Sequence, residues 1–121
     1  MKSPADVRRE VLDLHKSVLE AVRRETERDR GRLRDTEFLA ALVDEAQFAW
    51  LKPLTALVAR IDQPAEDEAR GEAAKDLVAR LRSLLASDGD DPDFRRKYAD
   101  ILQRSPDTLV AHVKTLRALK A

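Results

Sequence analysis

Apolar side chains recur at intervals of three and four along this chain: Val7, Val11, Leu14, Val18 and Val22 early, Leu77, Leu81, Leu84 and Leu85 later. That spacing gathers on one face of an α-helix and scatters over both faces of a strand. The punctuation agrees. Three glycines and five prolines in 121 residues, with 4% aromatic residues, are too few turn and strand formers for a β-protein. A chain of this length is one domain, since single domains run to roughly 100–200 residues. It is long enough to bury a core without disulfide or metal staples, which become necessary below about 40 residues. The expected fold class is all-α, in a single domain spanning residues 1–121.

The segments announce themselves by their caps. Ser3-Pro4 is an N-cap followed by proline at the first helical position, where its missing N–H costs nothing. The first helix should run to Gly31, a C-terminal stop, with the polar stretch from Arg23 onward projecting into solvent or fraying. A second helix is expected from Thr36 to about Asp62, capped by Asp35 or Thr36. Its main stripe is Leu39, Val43, Ala46, Trp50, Leu54, Leu57 and Ile61, and Phe38, Leu42, Phe48 and Leu51 lie off it. Pro53 should kink this helix, because the apolar pattern continues past it. Gln63-Pro64 makes a connection. The third helix starts near Ala65 or Ala73 and carries Ala74, Leu77, Val78, Leu81, Leu84 and Leu85. Ser87 to Pro92 reads as a loop. A fourth segment carries Phe94, Tyr98, Ile101 and Leu102. After a second cap at Ser105-Pro106, a fifth carries Leu109, Val110, Val113, Leu116 and Leu119.

Three long segments and two short ones of matching combined length predict an up-down-up-down four-helix bundle, with the last helix broken at Ser105-Pro106. The alternative is a compact five-helix domain in which the fifth segment turns away.

The formal net charge is zero, so bulk charge does not favour nucleic acid or a membrane surface. The distribution is uneven: +2 over residues 1–35, −2 over 36–63, −5 over 64–93 and +5 over 94–121. The plain reading is that the acidic third helix and the basic last segments complement one another in the bundle. The sharper one is that the basic segment docks an acidic partner or phosphate. No window approaches the about 20 apolar residues of a membrane span, and Met1 to Asp13 lacks the apolar run of a signal peptide. The expectation is a cytoplasmic protein. With no cysteine, thiolate metal sites, disulfides and cysteine nucleophiles are excluded.

No phosphate-binding loop, zinc-protease or nucleophile-elbow motif occurs, so no catalytic residue, metal or cofactor is expected. Both histidines fall on apolar stripes. Each can be a core histidine satisfied by a neighbour such as Gln47 or Tyr98. Alternatively, if the last two segments run on as one rod, His15 and His112 stand within about 5 Å of the same height on neighbouring helices. The same level on the second helix falls around Trp50 to Leu54, where Pro53 should bend the backbone. A pocket of His15, Gln47, Trp50, Pro53, Tyr98 and His112 could then hold a small ligand, a haem or a metal. Glu25 and Asp29 extend the first stripe with carboxylates, as expected where a buried face becomes wet.

The stretch Phe48-Ala-Trp-Leu-Lys-Pro-Leu-Thr55, with Phe94-Arg-Arg-Lys-Tyr98 and Ser105-Pro-Asp107, resembles segments of small bacterial all-helical proteins of unassigned activity. The resemblance implies a bacterial cytoplasmic helical domain and carries no catalytic residue or cofactor. The expected function is protein–protein contact, as a homodimer or an accessory subunit. Phe38 and Phe48, off the core stripe, are the expected interface. The alternative is a ligand-binding bundle built on His15 and His112.

Overall fold

The computed structural model describes residues 4–62, 67–86, 89 and 91–120, and side chains over 7–61, 75–86, 89 and 91–119. Within them the chain is all-helical. Its elements are α1 (Pro4–Arg30), α2 (Asp35–Asp44), a 3₁₀ turn (Ala46–Leu51), α3 (Lys52–Asp62), α4 (Asp67–Leu85), α5 (Pro92–Arg104) and α6 (Pro106–Lys120). Ser3, the Gln63-Pro64 connection and most of the Ser87–Asp90 stretch lie outside the described residues.

α1 buries the stripe its spacing predicts: Val11, Leu14, Val18 and Val22 are buried, joined by Ala21 and Thr26. Gly31 ends it with φ +81°, a backbone that favours glycine, and its N–H returns to the Glu27 carbonyl at 2.8 Å. The polar end of α1 does not fray. Arg23 pairs with Asp35 at 2.7 Å, donates to the Leu33 carbonyl and lies 5.6 Å from the centre of the Phe38 ring. Charged side chains here fasten α2 to α1, so polarity alone was no sign of a free end.

The expected second helix is three elements. The chain breaks at Glu45, whose backbone is extended (φ −92°, ψ 131°). Arg30 clamps both carboxylate oxygens of Glu45, and Gln47 Nε2 donates to the same carboxylate at 2.6 Å. Pro53 makes no kink inside a helix. It stands in the first turn of α3, where a proline loses no helical hydrogen bond. The break resets the helical phase, and the buried face changes with it. Phe38, Ala41, Phe48 and Leu51 are buried, while Leu39 (59% exposed) and Val43 (72%) face out. The cap differs as well: Glu37 reaches back to the Arg34 N–H at 3.0 Å, so Arg34 rather than Asp35 or Thr36 precedes the helix.

α4 buries Leu77, Leu81 and Leu85, as its spacing predicts. It lies against α3, with Arg60 and Asp76 at 3.9 Å. Asp91 caps α5 by accepting from the Phe94 N–H at 3.1 Å, and Pro92 takes the first helical position. Phe94, Tyr98 and Ile101 then enter the core.

Helix continuity fails at Ser105, which is extended (φ −125°, ψ 98°). Its hydroxyl accepts from the Thr108 N–H at 3.3 Å, opening α6. Tyr98 and His112 hydrogen-bond across this break at 2.7 Å. In one rod they would stand about 21 Å apart along the axis. α5 and α6 therefore fold back toward each other at Ser105 and do not descend as one rod.

Among the described residues α6 packs most extensively against α1, and its contacts there include the small residues Thr108 and Thr115, both buried. The Thr115 hydroxyl sits 3.1 Å from the Glu10 carbonyl and 2.8 Å from that of Ala111, and Thr108 and Ser17 hydroxyls meet at 2.8 Å. A threonine touching the neighbouring helix backbone requires close approach, which bulky side chains would prevent. The expected stripe of α6 is accordingly displaced: Leu109, Val110 and Val113 are exposed.

Candidate functional site

The six residues expected to line one pocket are distributed over four places. His15 Nε2 meets the Thr55 hydroxyl at 3.1 Å, on the side of α1 that faces α3. His112 Nδ1 meets the Tyr98 hydroxyl at 2.7 Å, on the side that faces α5. No hydrogen bond or ring contact joins the two imidazoles among the described residues. Ser17 meets Thr108 and Glu10 meets Thr115, so the two histidines stand at similar levels on α1 and α6, although α5 and α6 do not form the one rod on which that expectation rested. The direction each ring points in was not legible, because α6 turns Thr108 and Thr115 toward α1.

Burial lowers the pKa of both histidines, since desolvation disfavours the imidazolium. Burial also raises the pKa of the Tyr98 phenol, which stays protonated. The Tyr98 hydroxyl and His112 Nδ1 share this hydrogen bond, and the imidazole tautomer sets which of the two donates. His112 ends a continuous run of rings. Tyr98 stacks on Phe94 with centroids 5.0 Å apart, and Phe94 lies 5.7 Å from Trp50. Tyr98, His112 and Trp50 from the expected pocket are thus linked through Phe94, which sequence reasoning had assigned to the core alone. Phe94 is fully buried and fills the space between them.

Gln47 and Trp50 line a groove of about 250 Å³ between the C-terminal half of α1, the 3₁₀ turn and α5. Its apolar lining comes from Val22, Phe48, Trp50 and Ile101. Around these stand three cations, Arg30, Lys97 and Arg104, and three carboxylates, Glu25, Asp29 and Asp100. Arg104 bonds Glu25 at 2.9 Å, and Arg30 is held by Glu45, whose pKa falls from 4.5 to about 2 through those bonds. Lys97 faces Asp93 at 3.6 Å. The wet face expected at Glu25 and Asp29 is the wall of this groove. Pro53 belongs to a different, mostly apolar cleft of about 470 Å³ between α3 and α4, with Leu57 and Leu84.

Phe38 and Phe48 are not an exposed patch. Both are buried and pack edge to face with centroids 6.4 Å apart. Among the described residues the exposed large apolar side chains are Leu39 and Val43 on α2, and Leu109, Val110 and Val113 on α6. Sequence reasoning had placed all five on buried stripes. The available signal was the pair Thr108 and Thr115, seven residues apart, which marks a second possible buried face on α6.

Among the described residues no group of three or more histidine and acidic side chains converges to hold a metal. No described helix is long and apolar enough to cross a membrane. The acidic and basic segments adjoin, since α4 contacts both α5 and α6. Asp93 of the acidic segment pairs with Arg96 at 3.1 Å and Lys97 at 3.6 Å within α5, and Arg82 of α4 donates to the Leu119 carbonyl. Comparisons with protein-family models, with curated proteins and with solved structures found no match.

Proposed function

We propose that this protein acts through protein–protein contact, as a homodimer joined along the outward face of α6. The observation that carries the reading is the exposure of Leu109 (45%), Val110 (54%) and Val113 (38%) on successive turns of one helix. Single exposed aliphatic residues need no explanation, but a contiguous strip of them marks an interaction surface. Full burial of each such side chain contributes about 1.5–3 kcal/mol. Phe38 and Phe48, buried within the chain, are replaced in this role by the α6 strip.

A second copy suits this surface on electrostatic grounds. The net charge is zero, so two copies do not repel, and the +5 of residues 94–121 is matched by the −5 of residues 64–93. A twofold axis can set the basic flank of one strip against the acidic segment of the other copy. The proposal takes the chain as a compact helical domain in which α5 and α6 fold back on each other at Ser105 and α6 packs on α1. In that arrangement α6, packed on α1, presents its other face outward.

Sedimentation equilibrium of the wild type and of Val110→Asp tests the reading. The wild type should be dimeric at high micromolar concentration and the variant monomeric, with unchanged helicity. A monomeric wild type would remove the homodimer and leave the strip for a different protein.

A further inference from the structure

We propose that the groove beside Trp50 binds an ammonium or guanidinium group carried on an aliphatic stem, with Asp29 and Asp100 as its charge partners. This site lies on α1, the 3₁₀ turn and α5 and does not depend on the α6 strip.

Each cation of the groove already has a carboxylate of the chain beside it: Arg30 is bonded by both oxygens of Glu45, Arg104 by one oxygen of Glu25, and Lys97 lies 3.6 Å from Asp93. Two of the three groove carboxylates are in a different position. Asp29 and Asp100 form no salt bridge among the described residues, although each lies within electrostatic reach of one of these arginines, Asp29 of Arg30 and Asp100 of Arg104. What remains available to a ligand is negative charge at two points on opposite walls, one on α1 and one on α5.

The apolar lining gives the second half of the ligand. Val22, Phe48, Trp50 and Ile101 are buried and show the groove only their edges, a narrow hydrocarbon strip on which methylene groups can lie. Small-molecule pockets commonly measure about 300–1,000 Å³. At about 250 Å³ this groove suits one long side chain or a short amine and excludes a larger ligand. Lysine and arginine side chains, and free alkylamines, combine a hydrocarbon stem with a charged tip in this way.

Trp50 is the one tryptophan in the chain, so its fluorescence reports on the groove without labelling. The probes are n-butylammonium chloride for a free amine and an acetylated, amidated Ala-Lys-Ala peptide for a basic side chain. Either should change Trp50 emission saturably at millimolar concentration, and the tighter of the two identifies the source. Asp29→Asn and Asp100→Asn should each weaken binding by about threefold, the size of an exposed ion pair, and added salt should weaken it further. Glu20→Gln, an exposed acid outside the groove, should leave binding unchanged. Neither aspartate side chain forms a hydrogen bond or salt bridge among the described residues, so helicity should be unaltered. No saturable change with either probe, or equal binding by the wild type and both asparagine variants, would overturn the site. Either result is independent of whether the protein dimerises.

Discussion

His112 shows how one rotation about a helix axis decides what a histidine does. It stands level with the α1 residues near His15, yet its ring bonds Tyr98 on α5 while His15 bonds Thr55 on α3. Each folded-state pKa lies below the ordinary 6.5, so the unfolded chain takes up protons that the folded chain refuses. Stability is therefore fully present above pH 6.5 and declines as pH falls from there through the lower folded values. The loss seen in this window should shrink when either ring is replaced by glutamine. The partners lie on different helices, so the His15→Gln and His112→Gln effects should add to within about 0.5 kcal/mol. Tyr98→Phe and His112→Gln should not add, because each removes the other's hydrogen-bond partner. Chemical denaturation at pH 5 and pH 8 checks both statements. Strong coupling between the two histidines would mean that the rings share one site. Glu45, with its pKa held at about 2, loses its bonding to Arg30 only in far more acid solution, so the two effects separate by pH.

At the scale of elements, helix content and most boundaries were legible, because caps and breakers act locally. Gly31, Pro92 and Ser105-Pro106 terminate or open helices by backbone chemistry that needs no tertiary partner. Gly31→Ala tests this: φ +81° strains any residue with a Cβ, and no atom lies within 4 Å of the added methyl group. A loss of about 1 kcal/mol in denaturation is expected. No loss would place the end of α1 elsewhere. The break at Glu45 was not legible. It depends on a clamp from Arg30, fifteen residues away, and local propensity favoured helix straight through. Once the break shifted the helical phase, a stripe drawn through Leu39 and Val43 pointed outward and Phe38 pointed inward. On α6 hydrophobicity misled for a different reason. The tightest helix contact is made by threonines whose hydroxyls reach backbone carbonyls, so the larger Leu109, Val110 and Val113 were left outside.

For the whole molecule, the same substitution of small for large residues at the α1–α6 contact creates the surface on which the proposed function rests. A chain that buries Thr108 and Thr115 while exposing three aliphatic residues has stability available on covering them. The groove beside Trp50 was partly legible, since Gln47, Trp50, Glu25 and Asp29 all drew notice in the sequence. Their meeting with Asp100 and Arg104 required the turn at Ser105, which no spacing rule gives. The homodimer is the central claim, and the absence of cysteine makes it directly measurable. A single Lys114→Cys, on the flank of the α6 strip, accepts one nitroxide label per chain. Pulsed dipolar spectroscopy should then show a short, well-defined distance between two copies. The same label on a Val110→Asp background should show none. A labelled protein with no dipolar coupling at high micromolar concentration, or one whose coupling survives Val110→Asp, would contradict the account.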